Sequence, residues 1–226
     1  MANDAASTTE RELGEFRLQL AGRELNVLHQ KALVTWLDEQ RFLSTDEPRQ
    51  YGTVLWPSSI ALALDIGGRA AAFQGRSVLE LGAGVGLAGL AAAAVGARVL
   101  QTDRDAGALE LARDNADRNQ VTIAQRVADW ASWPADIGRF DWVIASDVLY
   151  RSTLHDHLHA CFTSSLAPGG RLLLADPLRS ASMKLLERLE GEGWSVRMTR
   201  WTIGEGEWAR AIGVFEAVPR QGTRRD

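Results

Sequence analysis

The chain predicts an α/β fold, with a mostly parallel sheet, helices on both faces and an antiparallel hairpin at its end. Three observations predict it. From residue 76 onward, strand-length apolar runs alternate with segments of helical spacing, and such alternation implies parallel strands joined by crossover helices. One apolar run ends in a loop with glycine at every second position, Gly82, Gly84 and Gly86, followed by an alanine-rich stretch. The last two strand-like runs, 194–201 and 209–217, are separated by Gly204-Glu205-Gly206-Glu207, a hairpin signal.

Taken in order, residues 1–14 are polar and read as a disordered lead-in. Residues 16–20 and 25–28 alternate around Ala21-Gly22 and predict a hairpin. Helical spacing over 32–42 predicts a helix, 49–57 a loop, and 58–71 a further helix begun at Pro57, a residue suited to the first helical position. Then follow strand 76–81, helix 86–95, strand 97–102, helix 105–119 capped by Asp105, and strand 121–127. A tryptophan-rich loop with Pro134 leads to strand 140–146, helix 152–166, a turn at Pro168-Gly169-Gly170, strand 171–175 and helix 180–192. Residues 15–55 form an N-terminal extension, 56–218 the main domain and 219–226 a polar, solvated tail with Arg220, Arg224 and Arg225.

The 226 residues are 46% hydrophobic and 24% charged, as expected of one core-forming domain. A net charge of -4 gives no electrostatic footprint for nucleic acid. Cys161 is the single cysteine, so no internal disulfide forms and a reducing, cytoplasmic setting is expected. The polar, acid-containing start resembles neither a signal nor a transit peptide. The longest apolar run, around 87–95, is too short to cross a membrane. A monomer is expected.

Glycines let the backbone turn sharply and approach a ligand, and a loop at a helix start presents free N–H groups. That arrangement holds a nucleotide-like ligand at the carboxyl end of a parallel strand. Gly84-x-Gly86-x-x-Gly89, with Asp103 some twenty residues on, matches the dinucleotide pattern. The register argues otherwise, because the first glycine after the strand is Gly82. Read from the strand, the pattern is Glu80-x-Gly82-x-Gly84-x-Gly86. A pyrophosphate is repelled by Glu80, whereas a ligand carrying an ammonium and a sulfonium is attracted.

This segment resembles motif I of the class I S-adenosylmethionine (SAM) methyltransferases. Trp56-Pro57-Ser58-Ser59 resembles the WP helix start of methyltransferase family 16, the seven-strand protein-lysine methyltransferase group. Asp147-Val148-Leu149-Tyr150 resembles that group's D-x-x-Y motif. Ala175-Asp176-Pro177, with Arg179, is similar to the ADPGR segment of the electron-transfer-flavoprotein β-subunit lysine methyltransferases and their bacterial relatives, with Leu178 in place of the glycine. The resemblance covers residues 16–217. It implies a Rossmann-like seven-stranded sheet whose C-terminal hairpin adds an antiparallel edge, SAM as cofactor, and a protein lysine as acceptor.

The resemblance also implies roles for residues. Glu80, Gly82, Ala83, Gly84, Gly86 and Ser146 surround SAM, Asp103 takes the ribose hydroxyls, and Asp129 and Trp130 take the adenine. Trp56 walls the pocket. Asp147 orients the acceptor ammonium and Tyr150 walls its channel. Tyr51, Asp176 and Arg179 line the acceptor side. The alternatives left open are a small-molecule amine as acceptor, an NAD-dependent oxidoreductase, and a SAM-fold protein that only binds partners. Asn/Asp-Pro-Pro-aromatic, which holds a planar exocyclic amine of nucleic acid, is replaced by Ser146-Asp147-Val148-Leu149. His155, His157 and His159 lack a matching acid or cysteine pattern and read as a solvated helix face, so no metal is expected. Cys161 and Trp133 read as core residues.

Overall fold

The computed structural model describes residues 12–31 and 51–220. The helix expected over 32–42, most of the lead-in and residues 221–226 lie outside them. Two strands, β1 (Leu13–Leu20) and β2 (Arg23–Gln30), pair antiparallel around Ala21-Gly22. There follow α1 (Pro57–Gly68), α2 (Ala70–Phe73), β3 (Ser77–Leu81), α3 (Leu87–Ala94), β4 (Arg98–Asp103), α4 (Ala106–Arg118), β5 (Ala124–Val127) and β6 (Phe140–Ser146). The chain continues through α5 (His155–Ser165), β7 (Leu166–Asp176), α6 (Ser180–Gly191), β8 (Trp194–Ile203) and β9 (Arg210–Pro219).

Seven strands form one sheet in the order β5-β4-β3-β6-β7-β9-β8. The first five run parallel, and β9 is antiparallel to both β7 and β8. The final hairpin therefore inserts its second strand beside β7 and leaves β8 at the edge. Central strands are buried on both faces, which is why they read as continuous apolar runs. Along β6, Trp142 and Ile144 join the core beneath α1, α3 and the N-terminal hairpin, while Val143 and Ala145 join the core beneath α5 and α6.

Several elements differ from expectation. The helix expected over 58–71 breaks at Arg69 (φ -125°, ψ 37°), after Gly67 and Gly68. Leu20 of the hairpin occupies the space beside Gly67, where a Cβ would lie 2.5 Å from it. Strand 121–127 begins only at Ala124, because the Val121 N–H turns back to Ala116 O and closes α4. Pro168-Gly169-Gly170 is not a turn but part of β7, absorbed by a register shift against Phe140 and Trp142.

The hairpin is pinned by two asparagines. Asn115 Oδ1 accepts from Leu28 N at 2.7 Å, and its Nδ2 donates to Leu28 O and Val85 O. Asn119 repeats the exchange with Asn26 N and O at 2.8 and 2.7 Å. Two side-chain amides one helical turn apart thus stand in for a neighbouring strand along β2. Among the described residues, no helix is long and apolar enough to cross a membrane.

Candidate functional site

The carboxyl ends of β3, β4 and β6 open into a cleft of about 800 Å³. Parallel strands put their free ends on one edge, so residues far apart in sequence meet there. The glycine loop forms its floor. Gly82 and Gly84 have φ of 63° and 56°, in the left-handed region that favours glycine. A Cβ on Gly82 would lie 3.0 Å from both the Trp130 ring and Val148, and one on Gly84 would lie 3.0 Å from Gly52 O. Ala83 lies between them and also lines the cleft.

Asp103 ends β4. Its Oδ2 accepts from Gly84 N and its Oδ1 from Asp105 N, each at 3.0 Å. Burial raises its pKa and these N–H groups oppose the rise. Each oxygen keeps a further lone pair, so the carboxylate can still accept two hydroxyls. Asp105 caps α4 through Gly107 N, as expected. Beyond β5, Asp129 Oδ1 accepts from Ala131 N at 2.8 Å, and Trp130 presses on Gly82. Trp56 and Tyr51 close the opposite wall. The Trp56 indole donates to Tyr51 O at 3.2 Å, and the rings are 6.1 Å apart at 51°.

At the end of β6, Ser146, Asp147 and Tyr150 all line the cleft. Asp147 adopts φ 56°, a conformation that aspartate tolerates better than most residues. Its Oδ1 lies 2.9 Å from Arg179 Nη1, and the same nitrogen donates to Asp176 Oδ2 at 2.8 Å. Asp176 is fully buried and also accepts from Arg179 N. Two carboxylates therefore share one guanidinium. Burial lifts the Asp147 pKa to about 6, with Arg179 pulling it down, Asp176 pushing it up and the neighbouring Ser58 pulling it down. Asp147 Oδ2 and Ser58 Oγ are both buried at this junction. Burial likewise raises the Tyr150 pKa and keeps the phenol protonated.

Twelve of the residues singled out in the sequence line this cleft; Glu80, Gly86 and Asp176 do not. Glu80 lies beneath the loop, 2% exposed, where Gln101 Nε2 donates to it at 2.9 Å and Gly89 N–H also bonds it. Burial pushes its pKa up to about 7. It braces the loop rather than facing a ligand. Gly86 caps α3 and accepts from Gln101. A Cβ on Gly89 would fall 2.3 Å from Glu80 Oε2, so the apparent dinucleotide spacing reflects close packing of α3 over Glu80. Asp176 lies behind Arg179, bonded to both its backbone N–H and its guanidinium.

The histidines do not form one solvated face. His155 is buried with Nε2 3.2 Å from Leu149 O, tying α5 to the segment that carries Asp147 and Tyr150. His159 pairs with Glu192. Cys161 is a core thiol, its pKa pushed up to about 12 by burial, and Trp133 donates to Ser165. Arg104, Arg151 and Ser59 line the cleft without having been singled out. Ser58 and Ser59 lay within the WP segment, but nothing in the sequence showed that the helix start would meet Asp147.

Residues 38–190 match the model of a family described as lysine methyltransferase. Protein N-lysine methyltransferase METTL21A of Mus musculus is 34% identical over 158 residues, covering 62% of this chain and 70% of that protein. The Xenopus tropicalis protein of the same name is 30% identical, covering 56% and 60%. Ribosomal protein L11 methyltransferase of Xanthomonas oryzae is 32% identical, covering 72% of this chain and 47% of that protein. The chain thus spans about half to two thirds of these relatives. The fold resembles that of the Thermus thermophilus 16S rRNA N2 G1207 methyltransferase in complex with AdoMet and guanosine, with a TM-score of 0.60, 19% identity and coverage of 92% of this chain and 51% of that one. It also resembles a magnesium protoporphyrin IX methyltransferase from Synechocystis with bound SAM, with a TM-score of 0.53, 19% identity and coverage of 82% and 91%. By its sequence match and its seven-stranded sheet, the chain belongs to the lysine methyltransferase family.

Proposed function

We propose that the protein transfers a methyl group from SAM to the side-chain amine of a lysine in a protein acceptor. The observation that carries this reading is the charge at the end of β6. Asp147 and Asp176 share a single guanidinium, so the cluster is one cation short. A site built this way attracts an ammonium.

The other half of the cleft fits SAM. Its volume suits a ligand of that size. The glycine loop offers close backbone approach where side chains would collide. Asp103 would accept the ribose hydroxyls, Trp130 would stack on the adenine and Asp129 would accept its amino group, while Trp56 walls the side. SAM bound there supplies an electrophilic methyl group carried on a sulfonium. The remaining work falls to residues of the chain. Asp147 orients the incoming amine, and Tyr150 narrows the channel and excludes water. A free lysine has a pKa near 10.4 and must lose a proton before its nitrogen can attack. That proton leaves to solvent, while Arg179 keeps Asp147 ionised. Holding nucleophile and carbon in line is the main catalytic contribution such a site makes.

Incubating a cell lysate with tritiated SAM and either the wild type or Asp147→Ala tests this reading. A discrete labelled protein band that vanishes with the variant, with the label mapped to lysine, supports it. Label confined to small molecules, or no label with SAM bound, overturns the protein-lysine acceptor.

A further inference from the structure

A second groove, of about 330 Å³, lies at the far end of α1 against β8 and β9. Asp65 and Arg69 form one side, Glu216 the floor, and Arg197, Thr199 and Trp201 the other side. Alternation along the strand puts these last three on one face of β8, about 7 Å apart at each step. Arg197 stands directly opposite Glu216 in the β8–β9 register, yet two other guanidinium groups already offset the charge of Glu216. One of its oxygens is held by Arg69 and the other by Arg171. Asp65 is held by Arg69 as well.

Three guanidinium groups thus face two carboxylates, and among the described residues Arg197 has no ion pair. The Trp201 indole nitrogen is buried with no acceptor. A donor that has lost water without gaining a partner is poorly satisfied. Arg197 and Thr199 on the same face of β8 are exposed, and a ligand reaches the indole nitrogen only with a side-chain movement in the groove. The groove is the electrostatic counterpart of the cleft, with guanidinium groups in excess where the cleft has carboxylates in excess.

We propose that this groove docks an acidic segment of the protein acceptor, with a carboxylate on Arg197 and an oxygen of the same segment on the Trp201 indole. The proposal rests on the acceptor being a protein. α1 runs from Trp56 at the cleft to Arg69 at the groove, and its twelve residues span about 18 Å. The acidic residue of the acceptor therefore lies about that far from the lysine modified.

The test is a titration followed by the indole N–H signals of the eight tryptophans in the nitrogen-15-labelled full chain. Trp201→Phe assigns the relevant signal, with exposed Thr199→Val as a second, milder assignment by perturbation. The probes are acetyl-Glu-Gly-Glu-amide, its Gln-Gly-Gln counterpart and inorganic phosphate. The Trp201 signal is expected to shift with the acidic peptide alone, and Arg197→Gln to weaken that binding at least tenfold. Three outcomes overturn the proposal: no shift with the acidic peptide, an equal shift with the neutral peptide or in Arg197→Gln, or saturation by phosphate at the same concentration. The titration needs neither SAM nor turnover, so its failure is distinguishable from failure of the methyltransferase reading.

Discussion

A carboxylate buried as deeply as Asp147 stays ionised near neutral pH only because a cation sits against it. Its pKa of about 6 places an acid limb in kcat/KM at that pH, because the protonated form cannot hold an ammonium. Arg179 lowers this value, so Arg179→Gln is expected to move the limb to higher pH and Arg179→Lys to keep it near its original position. A pH–rate profile measures both. Asp147→Asn preserves shape and removes charge, and roughly a hundredfold or greater loss of turnover with retained SAM binding is expected, measured by single-turnover kinetics beside calorimetry. Leu178 carries a second residue-scale expectation. It has φ 63°, unfavourable for a branched side chain by about 1–2 kcal/mol, and its methyl group packs against Gly213. Leu178→Ala loses the packing and keeps the strain; Leu178→Gly loses both. The glycine variant is therefore expected to be the more stable of the two by about 1 kcal/mol, inverting the usual order, as denaturant unfolding would show. Asp103, Asp129 and Asp147 were legible in the sequence because strand ends in a parallel sheet converge. The sharing of Arg179 between Asp147 and Asp176 was not legible, since it depends on the β6–β7 register and on the backbone reversal at Leu178.

At the scale of elements, α4 carries more than its place in the sheet requires. Asn115 is fully buried and satisfies β2 and the glycine loop together. Asn115→Ala leaves Leu28 N, Leu28 O and Val85 O without these partners, and a loss of about 2–4 kcal/mol is expected. Hydrogen exchange should accelerate most at the Leu28 amide, and less at Asn26, whose bond to Asn119 remains. Most strands and helices were legible from periodicity, because central strands read as apolar runs and surface helices as stripes. Expectation and structure part where tertiary contact overrides local signal. Pro168-Gly169-Gly170 has turn chemistry, yet β6 lies alongside and draws it into β7. The helix expected over 58–71 ends after Gly67 and Gly68, where Leu20 packs against the first of them. The asparagine pair on α4 gave no sign of its role, since its partner strand lies some ninety residues earlier.

For the whole molecule, the sheet order joins a glycine-loop half and an acceptor half at β3 and β6, and Glu80 sits at the centre beneath them. Its pKa rises from 4.5 to about 7 on folding. Between those values the folded chain holds a proton that the unfolded chain has released, so stability falls as pH climbs through that window, by about 3 kcal/mol. Glu80→Gln keeps an oxygen for Gln101 and Gly89 and removes the ionisation. The difference in unfolding free energy between wild type and variant is expected to follow that slope from pH 4.5 to 7 and then level off. The sequence motif named Glu80 correctly as the strand-end acid but could not show which way it faces, because the side of β3 that it occupies follows from α3 packing through Gly89. Calorimetric titration of the full chain with SAM and with NAD, using wild type, Asp103→Asn and Asp147→Asn, decides which cofactor the cleft holds. SAM is expected to bind and NAD is not, with at least a tenfold loss of SAM affinity in Asp103→Asn and little change in Asp147→Asn. Binding of NAD in preference to SAM, or SAM affinity indifferent to Asp103, would contradict this expectation.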